Sequence, residues 1–225
     1  MRLNITILLV VSLLGACRQK TANVNNTDTA TSFVTKPGVP VDSMPLRGFA
    51  RLNVEDKRFS NRMAYADTAN FLHQKMYPCA SCYFRPEVKE ALEQAAALAS
   101  KQHLILVIYD CYRPARIQMQ MYDKIKNPKY VSKPGKTSMH TKGQAVDLAL
   151  ADSLGHLLDF GSAFDEFSER SAYNFEGISN KAKANRAQLR SLMLKTGFEA
   201  FESEWWHFNY KKIDYPPDNV IWNCQ

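Results

Sequence analysis

The chain has 225 residues, 45% of them hydrophobic and 23% charged, which suits one domain of the usual roughly 100–200 residues with a sizeable core and excludes a mainly disordered chain. Lys and Arg (29) outnumber Asp and Glu (22), for a formal charge of +7, yet the basic residues are scattered. Without a basic stripe interleaved with aromatics there is no nucleic-acid footprint, and the charge reads as solvation or attraction to an anionic surface.

The chain opens with Arg2 and an apolar run from Ile5 to Leu14, followed by Gly15-Ala16-Cys17. That run is shorter than the roughly 20 residues of a membrane-spanning helix and has the layout of an export signal. Leu14-Gly15-Ala16-Cys17 resembles the lipobox of bacterial lipoproteins. Residues 1–16 are then a signal peptide and Cys17 the lipid-modified residue that anchors the chain to a membrane; an ordinary signal with an incidental cysteine is the alternative. Residues 17–45 are rich in Asn, Thr, Ser, Val and Pro and suit a flexible tether, with the folded domain over 46–225. Cys79, Cys82, Cys111 and Cys224 remain, an even set that suggests disulfides in an exported chain, with the pairing open.

Pro86 opens a predicted amphipathic helix over 86–101, with Val88, Leu92, Ala95 and Ala99 near one face. Leu104 to Tyr109 is a continuous apolar run that predicts a buried strand, residues 114–126 read as helix, and 127–143 as a long loop with Pro128, Pro134 and Gly135. The runs 145–150 and 156–160 flank Asp152-Ser153-Leu154-Gly155, a turn signal that predicts a hairpin. A helix is expected over 180–196, with Asn180 as N-cap and Gly197 just past its end, and Trp205 to Tyr210 fits a strand. Helices and hairpin-connected strands without regular βαβ alternation predict an α+β fold: a single domain with a mainly antiparallel sheet, flanking helices and a metal cleft.

Three segments carry chemistry: Asp110 to Pro114 (DCYRP), Ser138 to Asp147 (SMHTKGQAVD) and Glu204 to His207 (EWWH). A catalytic zinc takes three protein ligands of His or carboxylate type and leaves one position open, and His140, Asp147 and His207 supply such a set. Gly143 allows a turn between His140 and Asp147, and a carboxylate among Ala145, Val146, Leu148 and Ala149 is costly unless it is paired, hydrogen-bonded or bound to a metal. The spacing alone also fits a surface histidine and a hydrogen-bonded strand aspartate. Glu204 beside a ligating His207 can take a proton from metal-activated water. Residues three apart on a regular strand face opposite ways, so a turn or bulge is expected at Glu204. Arg113, at a strand end before Pro114, can be aimed into a cleft to stabilise an oxyanion, or can be a structural ion-pair partner.

These runs resemble the VanX-type D-alanyl-D-alanine dipeptidases, a zinc metallopeptidase family related to the D-alanyl-D-alanine carboxypeptidases. Met63 to Phe71 (MAYADTANF) and Asp159 to Asp165 (DFGSAFD) resemble further segments of that family, so the likeness extends from about Asn53 to Tyr210. It implies one Zn2+ per chain on His140, Asp147 and His207, Glu204 as general base and acid, and Arg113 on the scissile carbonyl's oxygen. Ser138 and Tyr65 would line the substrate, and Asp165 would face its free amino group. Cys111 beside the arginine, and Asp67 in the Tyr-Ala-Thr position, depart from the pattern. The implied substrate is the D-alanyl-D-alanine dipeptide, which suits a protein tethered in the cell envelope and facing the periplasm or exterior. Two other readings stay open: a peptidoglycan D,D-carboxypeptidase with the same zinc centre, and a catalytically silent wall-binding lipoprotein.

Overall fold

In the computed structural model, residues 46–128, 131–133 and 137–224 are described. The signal segment 1–16, Cys17 and the tether to residue 45 lie outside them. Among the described residues no helix is long and apolar enough to cross a membrane.

The strands are β1 (Ala50–Arg51), β2 (Phe59–Asn61), β3 (Tyr83–Phe84), β4 (Leu104–Asp110), β5 (Ala145–Asp152), β6 (Glu199–Phe201) and β7 (Glu204–Asn209). The α-helices are α1 (Pro86–Ser100), α2 (Ala115–Ile125) and α3 (Asn180–Lys195). A five-stranded sheet runs β2-β4-β5-β7-β6, and β1 pairs with β3 separately. Only the β2–β4 pair is parallel in that sheet, in keeping with the α+β, mainly antiparallel expectation.

The central strands β4 and β5 are apolar along nearly their whole length because both faces are covered, which is why LILVIY reads as a continuous run instead of an alternation. Helix α1 buries Val88, Ala91, Leu92, Ala95, Ala96 and Ala99, the i, i+3, i+4 stripe of an amphipathic helix, and Pro86 occupies its first turn, where a missing N–H costs nothing.

Four details differ from the sequence reading. Ser179, not Asn180, caps α3: its backbone is extended and its hydroxyl accepts from Ala182 N at 3.0 Å. The second arm of the predicted hairpin is reduced to an isolated Ala151–Leu157 bridge, because the chain leaves the sheet to stack Phe160 on Trp205 at 4.1 Å. The end of the predicted 127–143 loop, Met139–Lys142, is a 3-10 helix. Strands β2 and β6, three residues each, are too short to show a period.

The four cysteines pair as Cys79–Cys224 and Cys82–Cys111. Both bonds join segments that only the folded chain brings together.

Candidate metal centre and active site

The sheet register builds the site. Asp110 at the end of β4 is opposite Asp147 on β5, just past a register shift between Ile108 and Asp110, and Asp147 is opposite His207 on β7. Side chains opposite one another on neighbouring strands share a face, so three polar groups line up across an otherwise apolar sheet. His140 joins them from the 3-10 helix, whose end at Gly143 has φ +70°. A Cβ at residue 143 would come within 2.6 Å of the Phe49 ring, so the turn requires glycine on both counts.

His140, Asp147 and His207 place one ligand atom each within 4.8 Å of one another. Their hydrogen bonds decide what those atoms offer. His140 Nδ1 lies 2.7 Å from the Cys111 carbonyl oxygen, which can only accept, so Nδ1 carries the proton and Nε2 a lone pair. His207 Nε2 likewise donates to Asn209 Oδ1 at 2.8 Å and leaves Nδ1 with a lone pair. The two bare nitrogens stand 3.2 Å apart, and Asp147 brings Oδ1 to 2.9 Å from His207 Nδ1 and Oδ2 to 3.3 Å from His140 Nε2. Lone pairs that converge so closely repel unless a cation lies among them. The His-Asp-His set with its outward N–H groups already anchored fits a zinc ion. Burial alone would lower the pKa of His207, but the hydrogen bond and charge of Asp147 raise it to about 9, so in the metal-free chain a proton takes that position and metal binding must expel it. Burial opposes the Asp147 charge too, and the two imidazoles still hold its carboxyl well below the usual range.

Glu204 is not a member of this set but lies beside it, its Oε2 4.0 Å from His207 Nδ1. The irregularity expected at Glu204 is present: the β6–β7 register jumps from Ala200–Phe208 to Phe201–Glu204, so both Glu204 and His207 reach one cleft. Burial raises the Glu204 pKa; His207 opposes the rise and Asp147 adds to it.

Arg113 is buried, makes an ion pair and also reaches the cleft. Its Nε and Nη2 donate to Asp110 Oδ2 at 3.0 and 2.6 Å and its Nη1 to Gln118 Oε1 at 2.7 Å. Three of its five N–H groups are thus used to fix the plane, and the guanidinium still lines the cleft. Tyr77 also donates to Asp110, at 2.7 Å, so this buried aspartate is the hub that orients the arginine.

The cleft has a volume of about 200 Å³ and is lined by all eight residues singled out there: Tyr65, Arg113, Ser138, His140, Asp147, Asp165, Glu204 and His207. This is below the roughly 300–1,000 Å³ of ordinary ligand pockets and suits a small molecule. At one wall the Tyr65 hydroxyl donates to Asp165 Oδ2 at 2.7 Å. Burial raises the Asp165 pKa well above the carboxylate range, with the charge of Asp147 adding to it. Sequence reasoning missed Asp110, Gln118, Asn209 and the Cys111 carbonyl. Asn209 had a usable signal, since it stands two residues from His207 on the same face of a strand.

The loop bearing Asp165 is held by Arg186 of α3, which donates to the carbonyls of Phe160, Ala172 and Arg170 at 2.6–2.7 Å and to Ser162 Oγ at 3.4 Å. Burial lowers its pKa to about 10, still protonated at neutral pH. Arg186→Met strands the buried Phe160 carbonyl and the part-buried carbonyls of Ala172 and Arg170, at up to roughly 1–3 kcal/mol each. We expect a loss of about 3 kcal/mol, read as a melting temperature lowered by roughly 6–12 °C; an unchanged transition would show that the loop does not depend on this residue.

The sequence profile of the family described as D-ala-D-ala dipeptidase matches residues 49–223. The chain belongs to this family. Among its relatives is the D-alanyl-D-alanine dipeptidase of Escherichia coli (strain K12), 36% identical over 155 residues that cover 68% of this chain and 80% of the relative. The D-alanyl-D-alanine dipeptidase of Enterococcus faecium is 35% identical over 149 residues, 58% of this chain and 74% of its own. Among solved structures, the LdcB LD-carboxypeptidase superposes with a TM-score of 0.39 at 22% identity, over 57% of this chain and 59% of its own. The family match spans both the wall with Tyr65 and Asp165 and the His-Asp-His set, so the cleft lies wholly inside it.

Proposed function

We infer that the chain is a zinc-dependent dipeptidase that hydrolyses D-alanyl-D-alanine. The observation that carries this reading is the convergence of His140 Nε2, His207 Nδ1 and the Asp147 carboxylate on one point beside a separate Glu204. The names of the relatives supply the substrate. Zinc held by His140, Asp147 and His207 would supply Lewis acidity, which brings the pKa of water to about 7 in comparable sites. Glu204 takes the proton from the attacking water and returns it to the leaving amine. Arg113, its plane fixed by Asp110 and Gln118, directs its remaining N–H groups to the carbonyl oxygen as negative charge develops there. Asp165 and Tyr65 receive the substrate's ammonium group, and Ser138 lines the cleft. The test is metal analysis of the purified protein combined with turnover of D-alanyl-D-alanine, its L-containing isomers and a stem pentapeptide. About one zinc per chain and hydrolysis of the D,D-dipeptide are expected, with zinc lost on replacing His140, Asp147 or His207 by Ala. A protein that binds no zinc, or hydrolyses none of these peptides, ends the reading.

The same proposal places the enzyme in the cell envelope, anchored through a lipid on Cys17. The Leu14-Gly15-Ala16-Cys17 sequence supports this, as do two disulfides, which persist in oxidising compartments. Cys17→Ser is expected to move the protein from the membrane to the soluble fraction or to stop its processing. Wild-type protein recovered only from the cytoplasm would overturn it.

A further inference from the structure

The four residues Asp110 to Arg113 form a frame around both working groups. The Cys111 carbonyl accepts from His140 Nδ1 at 2.7 Å, and the Cys111 N–H donates to Asp110 Oδ1 at 2.9 Å, while the other oxygen of that carboxylate holds Arg113. Arg113 N in turn donates to the His140 carbonyl at 3.1 Å. Strand β4 ends at Asp110, after its register shift, so the sheet ladder does not hold Cys111. Its ties to β3 and the residue before it are the Cys82–Cys111 disulfide and the hydrogen bond from Tyr112 N to Tyr83 O at 2.9 Å. The next residue, Arg85, donates its N–H to the Gly143 carbonyl at 3.1 Å, at the end of the 3-10 helix that carries His140. The ring of contacts therefore closes from Cys82 through Cys111 and His140 back to Arg85. Both cysteines of this bond have no exposed surface. Cys79–Cys224 holds the segment whose Trp222 packs on Tyr83 and Tyr112, but supplies no link of this ring itself.

We propose that the Cys82–Cys111 disulfide is a positioning element of the metal centre, holding the carbonyl that sets the orientation and tautomer of His140, so that metal affinity depends on this bond. The proposal rests on the metal-site reading above. Outer partners of metal-bound histidines are typically worth about 10–100-fold in metal affinity.

In competition with a zinc chelator, the Cys82→Ala/Cys111→Ala double variant is expected to bind zinc about 10–100-fold more weakly than wild type. The Cys79→Ala/Cys224→Ala pair lowers the melting temperature and leaves zinc affinity within about threefold of wild type, since it lies outside the ring. A folded Cys82→Ala/Cys111→Ala protein, judged by near-UV circular dichroism, with wild-type zinc affinity overturns the proposal. If that variant does not fold, the wild type is equilibrated in glutathione buffers at a fixed free zinc concentration. Reduction there consumes two glutathione thiols, whose two electrons and two protons convert the disulfide into the Cys82 and Cys111 thiols and leave one glutathione disulfide. Because coupling is reciprocal, saturating zinc must shift the half-reduction point of Cys82–Cys111, followed by thiol trapping and mass spectrometry, about 10–100-fold further towards the disulfide than that of Cys79–Cys224, which reports the stability that zinc lends the whole fold. Half-reduction points that zinc moves equally for the two bonds, or not at all, overturn the proposal. Wild-type protein without zinc would sink the functional reading itself, whereas zinc-binding wild type with an unaffected variant would sink this inference alone.

Discussion

Glu204→Gln is expected to keep its zinc and to lose at least about 10²–10⁴-fold in kcat for D-alanyl-D-alanine, the usual worth of general acid–base catalysis. The loss belongs at the upper end, because one carboxylate serves both to take the proton of water and to protonate the leaving amine. Retention of metal follows from the geometry: the three atoms that converge within 4.8 Å of one another belong to His140, Asp147 and His207, and Glu204 is not among them. Glutamine has the same shape and can hydrogen-bond, but has no basic oxygen at neutral pH. Burial, which raises the pKa of Glu204, prepares the carboxylate to hold a proton between the two steps. Parallel metal analysis and steady-state kinetics check both halves. Near-normal kcat would end the proposed role, and loss of zinc with loss of activity would make Glu204 a ligand instead.

A free dipeptide is expected to be cleaved much faster than a stem pentapeptide with the same D-alanyl-D-alanine terminus, and Asp165 is the residue that decides it. Its carboxyl is mostly withdrawn from water, hydrogen-bonded by Tyr65, and has its pKa raised by burial, so it gains most from a cationic partner. The dipeptide brings an ammonium group to that wall; the pentapeptide brings a neutral amide. Opposite a neutral amide the raised pKa keeps Asp165 protonated, so what is lost is the charge-assisted hydrogen bond to the ammonium, worth about 1.5–3 kcal/mol. At about 1.4 kcal/mol per decade this is roughly 10–10²-fold in kcat/KM. Asp165→Asn should lower dipeptide turnover and narrow the gap to N-acylated substrates. Asn is well suited to this test because residue 165 has φ +56°, a left-handed conformation that Asn adopts more readily than most residues, so the loop keeps its shape. Wild-type enzyme that releases D-alanine from both substrates at similar rates would favour a carboxypeptidase.

How much of this was legible before folding varies from residue to residue. The LILVIY run declared a strand buried on both faces, and Asp147 stood out because a carboxylate in an apolar strand needs a partner of its own. The Glu204–His207 spacing required a bulge, and the β6–β7 register contains one, since two strand residues three apart can share a cleft only where the ladder is broken. These are local consequences of side-chain period and desolvation cost, which neighbouring residues suffice to express.

The sequence by itself thus pointed to three candidate ligands, to the strands that carry Asp147 and His207, and to the likeness to a dipeptidase family. Tertiary structure alone decided the rest. Which cysteines pair depends on distances between segments 29 and 145 residues apart, which no local pattern encodes. Whether Arg113 serves an ion pair or the cleft depends on Asp110 and Gln118 claiming three of its N–H groups while the others stay in the cleft. And which nitrogen of each histidine faces the centre is set by the Cys111 carbonyl and Asn209 Oδ1, because an imidazole's free lone pair points wherever its other nitrogen has been made to give its proton.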